Sequence, residues 1–255
     1  MTRRLTLISG GGSGIGRRTA LLLAEAGESV AVLDADGSAA QETAAQARSA
    51  GAASAVGMRC DVTDEAAVHA AVGGIGTPTG LVCAAGVDIG GVAHELPVGD
   101  WRRVLEVNLT GSFLTARAVL GRMRESGTGG SIVLCSSPAA FVGFAAGGTS
   151  AYAASKGGVS ALVRALAVDY APHGIRVNAV VPGPTETPLM WAAVPAEERA
   201  AMREQVCAEV PLGRLADPAE PARAVRWLLG PESSYVTGTH LVCDGGVLAK
   251  ASISA

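Results

Sequence analysis

Tyr152-Ala153-Ala154-Ser155-Lys156 is the spacing in this chain best suited to chemistry. Four positions apart on a helix, a phenol and an ammonium lie on one face. The chain holds three tyrosines and two lysines, so this spacing arises by chance in about 2% of such compositions. Every other basic side chain is an arginine, which marks a compact ammonium as chosen here over a generic surface charge. A phenol titrates near pH 10. Serving as a base near neutrality takes a drop of about three units, about 4 kcal/mol. One close cation supplies roughly one to three of those units. The pair therefore fits proton transfer, against the plainer reading of an exposed helix pair.

A second constellation precedes it. Ser9-Gly10-Gly11-Gly12-Ser13-Gly14-Ile15-Gly16 follows the first strand-like run and opens the first helical one. Glycines at such a turn let the backbone bend tightly and approach a pyrophosphate, while the helix N-terminus offers amide donors and a positive dipole. The spacing Gly10-x-x-x-Gly14-x-Gly16 differs from Gly-x-Gly-x-x-Gly, and any tight strand-to-helix turn can use glycine. Its place between first strand and first helix is what lifts the signal. Asp34 closes the second strand, where a carboxylate can accept from both hydroxyls of an adenosine ribose. A helix N-cap or solvated acid is its plainer reading. Asp61, in Cys60-Asp61-Val62, either meets an adenine edge or caps the helix that begins around Thr63-Asp64-Glu65.

The elements that must position these residues alternate. Leu5–Ile8, Val30–Leu33, Ala55–Arg59, Gly80–Cys83, Ser131–Cys135, Arg176–Val181 and His240–Cys243 read as strands, apolar almost throughout, as strands covered on both faces are. Gly14–Ala26, Gly37–Ala50, Glu65–Val72, Trp101–Arg124, Tyr152–Tyr170 and Pro218–Leu229 read as helices. Repeated strand–helix–strand order predicts an α/β fold, a doubly wound parallel sheet with helices on both faces. No repeat, linker or composition break divides residues 1–255, so one domain is expected. Pro184–Pro211 breaks the rhythm, with four prolines, exposed-looking Met190 and Trp191, and a helical piece Ala196–Glu209. Placed after a strand of such a sheet, it reads as a lid over the site, or else as an ordinary surface excursion.

Composition narrows the function classes. Twenty basic against twenty-three acidic residues give a net charge of −3 without charge runs, which argues against nucleic-acid or anionic-membrane partners. With 49% hydrophobic and 17% charged residues, disorder is excluded. Aromatics make up only 4%, so the core is built from Ala, Val, Leu and Ile. The five cysteines are scattered without a Cys-x-x-Cys pair, which removes disulfide and zinc readings, predicts no metal, and fits a reducing cytoplasm. Met1-Thr-Arg-Arg4 leads straight into a strand, and neither a signal-peptide core nor a membrane span is expected.

The ordered set resembles the short-chain dehydrogenase/reductase family over nearly the whole chain. The resemblance rests on Gly10–Gly16, Asp34, Asp61-Val62, Asn108 in Val107-Asn108-Leu109, Ser136-Ser137, Tyr152 and Lys156. It continues through Asn178-Ala179-Val180-Val181-Pro182-Gly183, Pro211-Leu212-Gly213-Arg214, Thr237-Gly238 and Asp244-Gly245-Gly246. It implies a Rossmann-like sheet of about seven strands, a nicotinamide cofactor, and an active site of Asn108, Ser137, Tyr152 and Lys156. Tyr152 would be the general acid/base, and Lys156 would hold the nicotinamide ribose and depress the phenol. Asn108 would keep a water through a helix kink, and Ser137 would polarise the substrate oxygen. Gly10, Ser13, Gly14, Ile15, Gly16, Asp34, Asp61, Val62, Ala84, Ala85, Gly86, Pro182, Gly183, Thr185 and Thr187, with Tyr152 and Lys156, would contact the cofactor. Helices Trp101–Arg124 and Tyr152–Tyr170 resemble those of the family's usual homotetramer interface; a homotetramer or homodimer is expected.

Two departures stand out. Where the family shows Asn-Asn-Ala-Gly, this chain reads Cys83-Ala84-Ala85-Gly86, losing side-chain hydrogen bonds but not the backbone passage. Fourteen residues separate Ser137 from Tyr152, so the Gly-rich loop Pro138–Ala151 is longer than common, and position at the strand end selects Ser137 over Ser136. The leading expectation is an oxidoreductase for a secondary alcohol and its ketone, a small-molecule substrate, with NAD favoured over NADP by Asp34. The alternatives are an NADPH-dependent 3-oxoacyl-type reductase and a catalytically silent dinucleotide-binding sensor.

Overall fold

Successive side chains of a strand point to opposite faces, and here both faces are apolar. In the computed structural model, which describes residues 4–250, Leu7 of β1 (Leu5–Ser9) enters one core and Ile8 the other. β2 (Ser29–Asp34) divides likewise, Ala31 and Leu33 on the first side, Val30 and Val32 on the second. The first core is closed by α3 (Glu65–Gly73), α5 (Gly111–Ser126) and α6 (Ser150–Tyr170), through residues such as Val68, Leu120, Met123 and Val163. The second is closed by α1 (Gly14–Glu25), α2 (Gly37–Ser49) and α8 (Ala219–Leu229), through Leu23, Ala40 and Leu228.

With β3 (Ala55–Arg59), β4 (Gly80–Cys83), β5 (Gly130–Cys135), β6 (Ile175–Pro182) and β7 (His240–Cys243), the sheet has seven strands, all paired in parallel, in the order β3-β2-β1-β4-β5-β6-β7. The order reverses between β1 and β4. At such a switch point the connections leave in opposite directions and open a crevice beyond the carboxyl ends of the strands.

The edges differ from the sequence reading. β3 and β7 are only partly covered, each with exposed positions, because a terminal strand has a neighbour on one side only. The stretch Trp101–Arg124, expected as one helix with a kink at Asn108, is three pieces: α4 (Val98–Leu105), a π-helical turn Glu106–Thr110 that contains Asn108, and α5. The Gly111 amide reaches back five residues to the Glu106 carbonyl, and the extra residue bends the rod. Asp36, not Asp34, caps α2, its carboxylate accepting from the Ser38 and Ala39 amides. Asp64, not Asp61, caps α3. The Pro184–Pro211 segment contains two short 3-10 turns and α7 (Arg199–Glu209). No helix among the described residues is long and apolar enough to cross a membrane.

Candidate active site

The glycine turn lies at the switch point, held from three sides. Gly10, at φ +66°, passes so close to Ala84 and Ala85 that a side chain there would strike the Ala85 backbone. A side chain on Gly16 would strike the Gly10 carbonyl, so α1 can start only this close to β1 because residue 16 is glycine. Ala84 donates its amide to the Ser9 carbonyl at 3.0 Å, fixing the exit of β4 alongside. Ser13 occupies the N-cap of α1 with its side chain exposed and making no capping bond, and Ile15, two residues on, is half-buried.

Asp34 reaches back over this turn. Its Oδ2 accepts the Gly12 amide at 2.9 Å, and its Oδ1 accepts the Asp36 amide at 3.0 Å. Gly12 is thus a site residue that the glycine spacing did not single out. Arg17 donates to the Gly12 carbonyl at 2.8 Å and pairs with Glu42 at 3.4 Å; Arg18 faces Glu25 at 3.6 Å. Asp61 is spent locally: Oδ1 accepts both the amide and the hydroxyl of Thr63, which together hold its carboxyl below the usual range. Val62 is buried against Gly111.

Asn108 sits in the π turn and is fully buried. Its amide exchanges hydrogen bonds with the Val87 backbone, accepting at 2.8 Å and donating at 2.9 Å, and it donates to the Ser155 hydroxyl at 3.0 Å. Its backbone carbonyl accepts the Ser112 hydroxyl at 2.7 Å. Ser155 in turn donates to the Tyr152 carbonyl at 2.7 Å. A buried chain of contacts therefore runs from the segment leaving β4 to the first turn of α6. Ser155 was hidden in the sequence between two more conspicuous residues.

Ser137, two residues past the end of β5, lies beside Tyr152, near enough for its hydroxyl to lower the phenol, and accepts the Ala139 amide at 3.2 Å. Its neighbour Ser136 points away, sharing a hydrogen bond of 2.8 Å with Ser160 beneath α6. Lys156 is buried; its ammonium lies 5.5 Å from the centre of the Tyr152 ring and donates to the Cys135 carbonyl at 2.8 Å. Removal from water pushes the Tyr152 phenol above its ordinary value, the Ser137 hydroxyl opposing, and burial pulls the Lys156 ammonium below its own. The phenol thus keeps its proton at neutral pH in this environment. A second residue that sequence reading passed over is Asp88, whose charge reaches both members of the pair. Its one signal was an acid just beyond the carboxyl end of β4.

On the far side, Gly183 packs against the Asp244 backbone and donates to the Cys243 carbonyl at 3.0 Å. Pro182 ends β6, and Thr185 donates to the Gly183 carbonyl at 2.8 Å. Thr187 comes over the glycine turn: a side chain on Gly14 would lie 3.1 Å from its methyl group. Trp191, expected at the surface, is instead 7% exposed, its indole donating to Glu186 at 2.6 Å. The five cysteines carry free thiols, and burial pushes Cys83 up to about 12, consistent with inert packing groups.

A family model described as enoyl-(acyl carrier protein) reductase matches residues 10–248. The chain is 44% identical over 252 residues to a cis-4-hydroxycyclohexanecarboxylate dehydrogenase of Sinomonas cyclohexanicum, covering 96% of this chain and 97% of that one. It is 36% identical over 254 residues to a 2,5-dichloro-2,5-cyclohexadiene-1,4-diol dehydrogenase of Sphingobium indicum, covering 98% of each. Among solved structures, a short-chain type dehydrogenase/reductase from Mycobacterium marinum superposes with a TM-score of 0.90 at 35% identity, over 97% of this chain and 96% of that one. A levodione reductase does so with a TM-score of 0.90 at 33% identity, over 97% and 98%.

Proposed function

Because this chain belongs to the short-chain dehydrogenase/reductase family and is an oxidoreductase, we propose that it interconverts a ring-bearing secondary alcohol and its ketone with NAD, Tyr152 moving the proton. The observation that carries this reading is the hydroxyl pair Ser137–Tyr152 at the sheet's carboxyl edge, with Lys156 buried beside the Tyr152 ring. The glycine turn fits a dinucleotide, since Gly10, Gly12 and Gly16 all stand where a Cβ would collide, with uncapped α1 amides next to them. A bound NAD, held by the Gly10–Gly16 turn and Asp34, would supply the hydride acceptor for the alcohol carbon. Ser137 orients the substrate oxygen, and Tyr152 exchanges its proton. Reduction starts from the proton that burial already keeps on the phenol; oxidation needs that proton removed, which a second positive charge near Lys156 favours. Asn108 acts on the geometry, clamping Val87 and Ser155. Pro182, Gly183, Thr185 and Thr187 flank the nicotinamide end, and Ser13, Ile15, Asp61, Val62, Ala84, Ala85 and Gly86 the adenosine side. One domain with a lid over 184–211 and a cytoplasmic location complete the reading.

A second reading is an NADPH-dependent 3-oxoacyl-type reductase; the family description shares with it an acyl-carrier-protein substrate, though it names an enoyl group. Asp34 speaks against it. A 2′-phosphate would face this carboxylate, and two unit charges 4 Å apart repel by about 1 kcal/mol in water and about 4 at an effective dielectric of 20. At this partly exposed site a penalty of about 2–4 kcal/mol, a preference for NAD of about 30- to 1000-fold, is expected. Neither early arginine relieves this: Arg17 is held by Gly12 and Glu42, and Arg18 by Glu25. The test is kcat/KM with each cofactor on a panel of cyclic secondary alcohols, with Tyr152→Phe as control. We expect turnover with NAD at least tenfold better than with NADP, and none in the variant despite intact NAD binding. Equal use of the cofactors would remove Asp34 as the selective residue. No oxidation of any alcohol, with tight NAD binding, would leave a nucleotide sensor.

A further inference from the structure

Asp88 is a carboxyl group for which proton transfer has no use. It lies two residues beyond Gly86, whose own surroundings are Asn108 and the Lys156 ammonium. Its backbone is tied on both sides. Upstream, Val87 is clamped by the two hydrogen bonds to Asn108. Downstream, Gly91 donates to the Gly148 carbonyl at 2.8 Å and bridges to Thr149, three positions before Tyr152. Two independent ties thus bring Asp88 and Tyr152 to one rim of the crevice, although 64 positions separate them in the chain.

The side chain lacks the partners a buried acid needs. Among the described residues, Asp88 Oδ1 is buried with no hydrogen-bond donor. The nearby Lys156 ammonium gives one donor to the Cys135 carbonyl and makes no hydrogen bond to Asp88. An acceptor held out of water without a donor is costly, so it calls for a partner from outside the fold: a ligand, a reacting group, an ion or a water. Burial raises the Asp88 carboxyl while Lys156 opposes. The reacting oxygen of a substrate is served by Ser137 and Tyr152, so the donor suited to Asp88 is a different group on the same molecule.

We propose that Asp88 sets substrate selectivity: its carboxyl accepts a hydrogen bond from a second hydroxyl of the substrate, favouring neutral diols and disfavouring substrates with an anionic group near the reacting carbon. A hydrogen bond to an ionised acceptor is among the stronger ones, and a like charge at the same place is repelled. This rests on the alcohol dehydrogenase reading above and specifies its substrate class.

The experiment measures kcat/KM with NAD for cyclohexanol, the 1,2-, 1,3- and 1,4-cyclohexanediols and a hydroxycyclohexanecarboxylate, in the wild type, Asp88→Asn and Asp88→Ala. Thermal melts and NAD binding verify that each variant is folded, and the isosteric Asn variant stands in if Ala fails to fold. The readout is the ratio of each substrate to cyclohexanol, which cancels any common effect on the proton-transfer step. In the wild type the best diol should exceed cyclohexanol by about 10- to 100-fold. The ratio should collapse in Asp88→Ala, through KM more than kcat, and partly survive in Asp88→Asn, whose amide oxygen still accepts. The carboxylate ratio should rise in both variants. Unchanged ratios, or no diol preference in the wild type, overturn the proposal. So does a uniform fall on all substrates, which would assign Asp88 to positioning Tyr152 and Lys156. A wild type that oxidises none of these alcohols overturns the function itself, an outcome distinct from turnover without selectivity.

Discussion

Ser136 and Ser137 are chain neighbours with opposite surroundings, because adjacent strand residues face opposite ways as β5 ends. Ser137 lies beside the Tyr152 side chain, whereas Ser136 is buried beneath α6, with Ser160 and the Lys156 carbonyl within reach at 2.8 and 3.4 Å. The two alanine variants should therefore fail differently. Ser137→Ala should lose on the order of 10²-fold in kcat, as for removal of a donor to a developing oxyanion, with the melting temperature little moved. Ser136→Ala should cost about 1 kcal/mol of stability, a net buried hydrogen bond, with kcat nearly kept. Steady-state rates and thermal melts on both variants decide it. If Ser136→Ala is the one that stops turnover, the longer loop has shifted the active serine.

The segment from Pro184 to Pro211 draws its order from a few polar contacts. Glu186 accepts from the Trp191 indole and pairs with Arg203, whose guanidinium stands 5.2 Å from the centre of that ring. Arg199 adds bonds to the Trp191 and Val194 carbonyls at 3.4 and 3.1 Å. None of the α7 side chains is buried, so this clasp rather than a core holds α7 down. The Arg203 pairing keeps the Glu186 carboxyl below its ordinary value. A depressed acid contributes at pH values above its unfolded pKa and loses that contribution as pH falls through the folded one, so the clasp weakens only on acidification. Glu186→Ala should speed amide hydrogen exchange over residues 188–210 by about tenfold and raise KM more than kcat. Exchange unchanged by the substitution would show that Glu186 does not restrain this segment.

Across the outer faces of α5 and α6 the molecule presents an apolar groove lined by Leu109, Phe113, Ala161, Leu162 and Ala165. Phe113 is 43% exposed there, and Gly158 lets Leu109 pack closely at the groove wall. An apolar patch on helices adjoining the site suits contact with a second copy of the chain. Light scattering on the purified protein should give a tetramer or dimer mass, and Phe113→Arg should shift it to a smaller species with a lower melting temperature. A wild type that runs as a monomer at micromolar concentration would dismiss this assembly.

Much of this protein could be read locally. Apolar runs between glycine and polar breaks marked all seven strands to within a residue or two, most plainly the five inner ones, where burial on both faces leaves an apolar composition. The Tyr152–Lys156 spacing and the glycine turn were visible because one helix and one strand–helix junction carry each of them. What the chain could not show locally is what distant segments do to each other. The break at Glu106–Thr110 follows from Asn108 bonding to Val87 and Ser155, twenty-one and forty-seven positions away. The burial of Trp191 depends on Glu186 and Arg203 meeting across a turn. Asp88 has no periodicity or motif to mark it, and it matters only because β4 ends and α6 begins at the same rim. Local periodicity and composition record which faces are apolar; the order in which strands pair decides which polar side chains come together, and that is settled by packing over the whole sheet.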